Sequence, residues 1–521
     1  MRVRHEMPVG HGELLTDPPY AEWESLAREN ATRARTWTMP VAGVELSSLR
    51  DEARAEACRI AVDYSAEVGV AARATAGGSG LVVMTGHQPE LYHPGVWVKV
   101  FLLQRLADEL GATAIDIVVD SDTFERVALT VPCLRGEIGR CTSVLALGTG
   151  EECYACAAVP DAAAIAGFRE AGLDALGTLP APALARHFNA YCDALVAVAP
   201  DTDDLAAALT AARRRYEAPA GTSYLELSVR RQGHSRAFVH LVAHIASDAE
   251  RFVTVYNEEL AAYRERTGSR SSAQPFPDLG DKDGRLELPL WWLAGERRRP
   301  VWLQLEPRAL VVDDRVVVDV GADPHRAVAA LDAAAGSLAP RALMLTLFER
   351  VFVADLFIHG IGGGRYDQVT DAVIARYFGI EPPRYVVASM TLHLPLGGHV
   401  VTDEEVAAAE QRLHVLKHNP DQLLGEVEFD SADERRSATE LAAHKRRLVE
   451  EIGRADADRK ALGAQIRATN AQLAEVLAPL ATLMGADIER LKAQRDTAAV
   501  LSDRTYPFCL WDPLEVADKV W

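Results

Sequence analysis

The spacing of apolar residues predicts a strand–helix–strand unit early in the chain. Residues 81–85, Leu-Val-Val-Met-Thr, form a short apolar run rich in β-branched side chains, which is typical of a buried parallel strand. Residues 97–110 carry apolar side chains at helical spacing and are followed by Gly111, a helix stop. A second apolar run at 114–119 predicts the next strand. The order of these elements indicates a βαβ unit and a parallel sheet.

Later segments predict further helices and strands. We expect the following elements: a mostly helical segment 1–80, a helix over 237–266, a turn at 275–277, two strands within 285–303 and a buried helix over 341–358 that breaks at His359-Gly-Ile-Gly-Gly-Gly364.

The last fifth of the chain is charged and helical in pattern. A helix is expected over 402–417, and Asn419-Pro420 breaks it. From Leu441 to Leu480, mostly apolar residues alternate at spacings of four and three, which is typical of a coiled coil about 60 Å long. Such a stripe must be buried, so we expect a homodimer through this arm, with Lys445 and Arg459 reaching acidic partners.

Together these patterns predict an α/β protein. Its expected parts are a Rossmann-like parallel-sheet core with inserted helical segments and a C-terminal helical coiled-coil arm. The predicted domains are an N-terminal helical segment 1–80, a nucleotide-binding and catalytic domain 81–400, the arm 401–500 and a C-terminal segment 501–521.

Charge and composition exclude some classes of function. The formal net charge of −20 opposes binding to nucleic acid over a wide face, although a local pocket for one small anion remains open. The sequence contains no run of 18 or more apolar residues, so we predict no membrane span. The N-terminus lacks the apolar core of a signal peptide. We therefore expect a cytoplasmic protein that acts on small molecules.

We expect the cysteines and two arginine runs to have structural roles. Seven scattered cysteines, including the Cys153-Tyr-Ala-Cys156 motif, favour reduced thiols in the cytosol. The runs 213–215 and 297–299 are expected to be solvated faces.

The first candidate site is the segment Thr85-Gly-His-Gln-Pro-Glu-Leu-Tyr-His-Pro-Gly95. A helix that begins at such a loop offers free N–H groups and a positive dipole end to a phosphate. His87 and His93 can stabilise negative charge that develops on a phosphate during a reaction. Gln88 can form hydrogen bonds with a polar ligand. The structural alternative is a turn with capping side chains.

The second candidate is Asp120-Ser-Asp122, at the carboxyl end of the next strand. Its carboxylates can hold a magnesium ion, a ribose or a substrate amine, and the alternative is a helix cap.

The third candidate follows the buried run. Gly360, Gly362 and Gly363 allow close approach of a ligand to the backbone. The polar members of this motif are His359, Arg365, Tyr366 and Asp367. Arg365 suits a carboxylate or phosphate. The alternative is a flexible hinge.

These motifs resemble the cysteine ligase family of bacillithiol biosynthesis. That family has a Thr-Gly-Gln-Gln loop, a second glycine before a helix, and an acidic Asp-His-Asp-Phe-type motif after the next strand. The corresponding residues here are Thr85-Gly-His-Gln88, His93-Pro-Gly95 and Asp120-Ser-Asp-Thr-Phe-Glu125. The run 341–366 resembles its buried helix and glycine-rich turn, and the arm resembles its coiled coil.

The resemblance implies an ATP-dependent ligase, with or without Mg²⁺, that joins an amino acid, cysteine among the candidates, to the amine of an amino-sugar-like acceptor. His87, His93, Asp120 and Asp122 are then the expected catalytic residues. The expected nucleotide-binding residues are Thr85, Gly86, Gln88 and Gly95, and 359–367 is the expected substrate segment. Two alternatives stay open: a nucleotidylyltransferase on the same loop, and a non-catalytic nucleotide-binding scaffold.

Overall fold

A computed structural model shows an α/β protein and describes most of the chain. The described residues are 6–70, 79–135, 137–268, 276–294, 297–341, 343–396, 401–427, 429, 431–454 and 457–521. The chain divides into two compact units. The larger unit comprises Met1–Leu134, Arg140–His393 and Arg504–Trp521, and the smaller comprises Arg135–Gly139 and Leu394–Asp503.

The strands range from two to eleven residues in length. In chain order they are β1 Glu13–Asp17, β2 Pro40–Val41, β3 Val44–Glu45, β4 Val82–His87, β5 Thr113–Val118, β6 Arg126–Arg135, β7 Glu137–Leu147, β8 Leu225–Ser228, β9 Asp281–Lys282, β10 Arg285–Ala294, β11 Arg297–Gln304, β12 Ala309–Val312, β13 Arg315–Asp319, β14 Leu338–Pro340, β15 Leu356–His359 and β16 Val386–Thr391.

Helices connect and cover these strands. They are α1 Trp23–Ala34, α2 Leu46–Glu67, α3 Pro94–Leu110, α4 Ala162–Gly177, α5 Pro182–Val198, α6 Leu205–Glu217, α7 Val229–Gln232, α8 Arg236–Ser247, α9 Ala249–Thr267, α10 Pro324–Asp332, α11 Leu343–Phe348, α12 Ile361–Val373, α13 Asp403–His418, α14 Ala432–Ile452, α15 Arg459–Val476, α16 Ala478–Leu501 and α17 Pro513–Val520. Two π-helical turns, Glu349–Val353 and Ile374–Phe378, extend α11 and α12.

The main sheet has six strands in the order β1, β16, β15, β4, β5, β8. The last five run parallel, and β1 pairs antiparallel with β16 at one edge. The predicted βαβ unit is confirmed as β4, α3 and β5, with Gly111 in the left-handed conformation that ends α3. The N-terminal segment is mostly helical as expected, but it also supplies β1, which the sequence pattern did not reveal.

The order of the parallel strands places a topological switch point between β4 and β15. From β4 the chain continues outward to β5 and β8, whereas from β15 it continues outward on the other side to β16. Right-handed crossovers then carry α3 and α12 to opposite faces of the sheet. Consistent with this, α12 contributes Val369 and Val373 to the large apolar core that covers the face bearing Val82. Ligands of such sheets bind in the crevice at this point.

Two predicted helices are corrected, and two predicted strands are confirmed. The expected helix 237–266 is two helices, because Asp248 leaves the helical conformation between α8 and α9. The expected helix 341–358 is α11, a π-helical turn and strand β15, because its last residues pair with β4 and β16. The two strands within 285–303 are confirmed as β10 and β11, which belong to a second, antiparallel sheet. Pro275 of the expected turn lies outside the described residues.

The smaller unit is helical, but the apolar stripe from Leu441 to Leu480 does not lie on one continuous helix. The helix expected at 402–417 is confirmed as α13, which begins with a Thr402–Glu405 capping box and ends before Asn419. The expected 60 Å helix is wrong, because α14 ends at Ile452 and α15, which packs against it, begins at Arg459. The apolar residues cover each other instead. The buried members of this cluster are Leu416, Leu423, Ala442, Leu473 and Leu477.

The two expected seam cations of this unit differ. Lys445 is buried and pairs with Asp421, and its Nζ also donates to Asn419 Oδ1 over 3.1 Å. Arg459 is exposed at the start of α15. In the part of the chain that is described, no single helix is long and apolar enough to cross a membrane. Helices α15 and α16 satisfy that criterion only as a pair, and they meet at a bend of 72°.

The cysteine expectation is corrected in part. Cys133 and Cys141 on the paired strands β6 and β7 form a disulfide with Cα atoms 5.8 Å apart, and Cys153 and Cys156 form another with Cα atoms 5.0 Å apart. Strand pairing brings the first two residues together, and the short turn Tyr154–Cys156 brings the second two together. The free thiols are Cys58, Cys192 and Cys509.

Candidate functional site

The two glycine-rich segments lie side by side because β4 and β15 are neighbouring parallel strands. Leu356 pairs with Val83 and Phe357 with Met84 in the sheet. One step further along, the buried Thr85 hydroxyl donates to the Ile358 carbonyl over 2.8 Å. Thr85, an expected nucleotide-binding residue, therefore ties the two strands together at the point where both end. The first junction, 86–95, and the second junction, 359–364, therefore follow neighbouring strands at the same edge of the sheet.

At the first junction, Gly86 serves the sheet. A Cβ atom there would lie 2.8 Å from the Ile117 Cβ on β5, so only glycine fits. His87 follows as a half-buried side chain whose Nδ1 lies 3.2 Å from the Gln88 carbonyl and whose ring contacts Tyr92 edge-on. Burial, together with the nearby Lys99 ammonium, lowers the pKa of His87 far below its usual range. The imidazole is therefore neutral at physiological pH.

The start of α3 is closed by the protein itself. His93 is the N-cap residue, and its Nδ1 accepts from the Gly95 N–H over 3.0 Å. Pro94 has no N–H, and the Val96 and Trp97 N–H groups donate to the His93 carbonyl. The expectation of free N–H groups at this helix end is therefore wrong.

Gly95 is required by a residue from the far end of the chain. A Cβ atom at Gly95 would lie 2.3 Å from Arg504 Nη2 and 2.7 Å from Ser389 Oγ. Arg504 Nη2 donates to Ser389 Oγ over 2.9 Å and to the Met390 carbonyl over 3.0 Å. The group that approaches the Gly95 backbone closely is therefore the guanidinium of Arg504 in the same chain.

Lys99 is a charged residue at this junction that sequence reasoning missed. It lies on the second turn of α3, is buried, and its Nζ donates to the Gly86 carbonyl over 2.8 Å. Burial lowers the pKa of its ammonium to about 8. The only sequence signal was a lysine at an otherwise apolar position of the helix.

Below Lys99 lies a buried ionic network, which corrects the expectation for one arginine run. Arg213 is buried and its guanidinium pairs with Asp116 on β5 and with Glu226 on β8, both at 2.8–2.9 Å. Arg214 is buried beside it and faces Glu217. These arginines face inward because the carboxylates on β5 and β8 need cationic partners away from water.

Asp122 joins the first junction, as its position in the sequence suggested. Its Oδ2 accepts from Gln88 Nε2 over 2.8 Å, and its Oδ1 pairs with Arg298 on β11. Arg298 also lies over the Trp291 ring at 4.4 Å. Arg298 therefore belongs to this cluster, which corrects its interpretation as part of a solvated face.

Asp120 is directed elsewhere. Its buried carboxylate accepts from the Ser228 hydroxyl and from the Arg230 N–H, the latter over 2.9 Å. It thereby caps α7 at the end of β8, which is the structural alternative considered for this motif. Burial raises the pKa of Asp120 to about 6.

Among the described residues, no group of three or more His, Cys, Asp or Glu side chains is arranged to hold a metal ion. The carboxylates of Asp120 and Asp122 already accept from protein donors, as described above. The residues present therefore do not fit the magnesium site that the acidic motif suggested.

At the second junction, His359 and Asp367 form a buried pair. His359 is 5% exposed at the end of β15, and its Nε2 lies 2.9 Å from Asp367 Oδ2 on α12. Asp367 also accepts from the Thr346 hydroxyl over 2.6 Å and pairs with Arg350 at 2.5 Å. Burial alone would raise the pKa of Asp367, but Arg350 and His359 hold that pKa well below its usual range. The ionised carboxylate therefore fixes the imidazole with its proton on Nε2.

The glycines of this junction form the first turn of α12 rather than a hinge. Gly360 is the N-cap residue, and no side chain caps the helix. Gly362, Gly363 and Arg365 are exposed. Tyr366 turns toward Phe276, with ring centres 5.9 Å apart. The segment expected to bind substrate is thus split between an exposed turn and an inward-facing network.

Comparison of the chain with known protein families and with curated proteins finds no match.

Proposed function

We propose that the chain is an ATP-dependent ligase that joins an amino acid to the amine of a small, amino-sugar-like acceptor. The observation that supports this most is the position of two strand–glycine–helix junctions on the neighbouring strands β4 and β15, at the switch point of a parallel sheet. Crevices of this kind bind nucleotides and other phosphorylated ligands in α/β proteins. The Rossmann-like character of the core is part of the same proposal.

The chemistry needs two substrates held next to each other. ATP would activate the carboxylate of the amino acid, and the acceptor amine would then displace the phosphate or nucleotide leaving group. Such a reaction depends on positioning the reactants and on stabilising the charge that develops. The neutral His87 and the ordered Gln88–Asp122 pair offer polar groups at one junction, and His359 with the exposed turn of α12 offers them at the other.

The test is ATP turnover by the full chain. Each amino acid would be supplied with ATP and glucosamine, and AMP, ADP, pyrophosphate and amide product would be measured. A ligase consumes ATP only when both the amino acid and the amine are present. Pyrophosphate with a nucleotidyl adduct would instead indicate a nucleotidylyltransferase, and binding of ATP without consumption would indicate a scaffold.

A deletion strain gives an independent readout. Loss of one low-molecular-weight thiol or amide from its metabolites would identify the product class. Complementation with Gln88→Ala, which breaks the contact to Asp122, is the test. The matched control is Gln304→Ala, whose amide donates to the carbonyls of Glu306 and Pro307. We expect only the second variant to restore the metabolite fully.

The smaller unit is proposed to mediate a homodimer. Apolar residues Val449 on α14 and Leu483 on α16 are 49% and 68% exposed, which favours a partner surface. Light scattering tests this directly, because a monomer has a mass of 56.6 kDa and a dimer has twice that. A monomeric mass across the accessible concentration range would rule the dimer out.

A further inference from the structure

We propose that Cys153 and Cys156 form a reversible thiol–disulfide exchange site, which reacts with dithiols and disulfides and whose redox state controls the position of Asp122 at the first junction. The sequence predicts reduced thiols at this motif, whereas the structure shows the two sulfur atoms bonded to each other. The inference goes beyond the proposed function and does not depend on it, because the chemistry is that of the two cysteines.

One cysteine of the pair is partly exposed. Cys156 is half-buried, whereas Cys153 is fully buried. An external thiolate therefore reaches the Sγ atom of Cys156, and the sulfur of Cys153 is the group that leaves. Arg230 Nη1 donates to the Ala155 carbonyl over 3.1 Å, so a guanidinium lies against the turn that holds both cysteines. A neighbouring cation favours the thiolate form of the leaving sulfur.

The exchange takes place in two balanced steps. In the first, one thiolate of a dithiol attacks Cys156 Sγ, the bond between the two protein sulfurs breaks, and its electron pair stays on Cys153 Sγ. In the second, the other thiolate of the dithiol attacks its own sulfur in the mixed disulfide and releases Cys156. Both protein thiolates take up a proton. The protein thereby gains two electrons and two protons, and the dithiol becomes a cyclic disulfide.

The turn does not need the disulfide in order to fold. The N–H groups of Cys156 and Ala157 both donate to the Cys153 carbonyl, over 2.9 and 3.1 Å. A disulfide that closes so short a loop restricts the unfolded chain much less than one that closes a long loop. The bond can therefore open and close in the folded protein. Where a compartment holds a pool of dithiols and disulfides, its state follows the poise of that pool.

The turn is anchored to the acidic motif at the end of β5. The Tyr154 N–H donates to the Asp122 carbonyl, and the Ala155 N–H donates to the Asp120 carbonyl, both over 3.0 Å. The Tyr154 ring also stacks on Phe124, with ring centres 4.8 Å apart. Two successive N–H groups of the exchange site therefore hold the backbone of the motif from which the Asp122 side chain extends.

Reduction should loosen these anchors. Two thiols need more room than a disulfide, because sulfur atoms that are not bonded cannot approach to bonding distance. Cys153 has no free space around it, so the half-buried Cys156 is the residue that moves, and the turn moves with it. Asp122 accepts from Gln88 Nε2 and pairs with Arg298. A displacement of its backbone therefore reaches the polar groups of the first junction.

The first test measures the exchange itself on the full chain. The double variant Cys133→Ser/Cys141→Ser removes the other disulfide, so that the exchange observed is that of Cys153 and Cys156. The protein would be equilibrated in mixtures of reduced and oxidised dithiothreitol, trapped with excess N-ethylmaleimide and analysed by peptide mass spectrometry. We expect both cysteines to become alkylated as the reduced fraction rises, and to be protected again on reoxidation, while the circular dichroism stays unchanged. Peptide mapping of the wild-type chain separates the two pairs if the double variant fails to fold.

The second test measures the coupling to Asp122. The Thr123 N–H donates to Asp122 Oδ1 over 2.9 Å, so its hydrogen exchange reports on that carboxylate. Exchange in the full chain would be compared between oxidised and reduced protein by mass spectrometry. We expect the amides of Thr123, Tyr154 and Ala155 to exchange faster by about tenfold or more after reduction, because each loses a hydrogen bond.

Two variants separate this coupling from a general effect of the reductant. Cys156→Ser cannot form the disulfide and should show the faster exchange under oxidising and reducing conditions alike. Cys58→Ser removes a half-buried free thiol on α2 and should respond to reduction as the wild-type chain does.

Each half of the proposal can be overturned by its own result. Alkylation of both cysteines in excess oxidised dithiothreitol, or alkylation under reducing conditions only after denaturation in urea, would overturn the exchange site. Equal exchange of the Thr123 amide in oxidised and reduced protein would overturn the control of Asp122. These measurements use neither ATP nor an amine, so a chain without ligase activity can still confirm both halves.

Discussion

The two strand–glycine–helix junctions share some residue types and have opposite environments. Each has a histidine at the end of a central parallel strand, and each has glycine in the first turn of the helix that follows. At β4 the helix end is capped by His93 and covered by Arg504. At β15 the helix end has no side-chain cap, and its glycines are open.

The comparison shows that a glycine can allow another group to approach the backbone closely, but that the glycine alone does not reveal which group this is. At Gly95 the neighbour is a guanidinium that arrives from more than 400 residues away in the sequence. At Gly360 and Gly362, no atom of the described residues lies within 4 Å of that place. The same residue type therefore supports internal packing at one junction and an accessible backbone at the other.

The largest expected effect on stability comes from removing Arg350, the buried cation that pairs with Asp367 at the second junction. Arg350→Met would leave the buried Asp367 carboxylate without its guanidinium, at a cost of about 3–5 kcal/mol in the free energy of unfolding. Urea denaturation followed by circular dichroism measures this. The control, Arg28→Met, breaks an exposed pair with Glu24 and should change the stability by less than about 0.5 kcal/mol. Equal effects of the two substitutions would contradict the inward-facing network.

A matched pair of glycine substitutions tests the contrast itself. Gly95→Ala places a methyl group against Arg504 and Ser389 and should destabilise the chain by about 1–3 kcal/mol. Gly360→Ala meets no neighbouring atom at a φ of −79°, and because Gly360 is an N-cap residue it should change the stability by no more than about 0.5 kcal/mol. Melting temperatures of both variants report the difference. If Gly95→Ala proved as harmless as Gly360→Ala, the first helix end would not be closed in solution.

The π-helical turn before β15 predicts a pH dependence. Glu349 lies next to Arg350, is fully buried, and neither of its carboxylate oxygens has a partner among the described residues. Burial raises the pKa of Glu349 from 4.5 to about 8. The unfolded chain therefore releases this proton first, so the contribution to stability is complete below pH 4.5 and is lost as the pH rises toward about 8.

Glu349→Gln should remove that loss. We expect its free energy of unfolding to exceed that of the wild-type chain by about 1–2 kcal/mol near pH 8 and to match it near pH 4, in urea titrations across the range. Glu24→Gln on α1 replaces an exposed carboxylate and serves as the control. Parallel pH profiles for the wild-type chain and Glu349→Gln would show that the carboxyl group is not held neutral.

The smallest expected effect comes from the cap of α3. His93→Ala removes the acceptor for the Gly95 N–H and should cost about 0.5–1 kcal/mol of stability. Because His93 and Arg504 close the start of α3, ATP affinity should stay within about twofold of the wild-type value. A loss of ATP affinity of about tenfold or more, measured by calorimetry, would instead indicate that the first junction binds the phosphate.

Local patterns in the sequence were sufficient for much of the core. The apolar run of β4, the helical spacing of α3 and the stop at Gly111 depend on steric and hydrogen-bonding preferences within a few residues. The capping box that begins α13 is local in the same way. Such features can be predicted from a single chain because the physics that produces them is short-range.

Patterns that fit more than one structure misled the prediction. The apolar run 341–358 suits a buried helix or a buried strand, and pairing with β4 and β16 decided that its end is β15. The stripe 441–480 suits one long helix or a folded-back pair, and the break between α14 and α15 decided for the pair.

The sequence by itself determined which segments carry polar chemistry at strand ends, and the tertiary structure decided what each residue does there. Strand order placed 359–364 beside 86–95. Packing turned Asp120 into a cap for α7 and brought Lys99 beneath the first junction. These outcomes depend on partners far apart in the chain, chosen because buried charges and N–H groups must be satisfied across the whole fold, which no local pattern encodes.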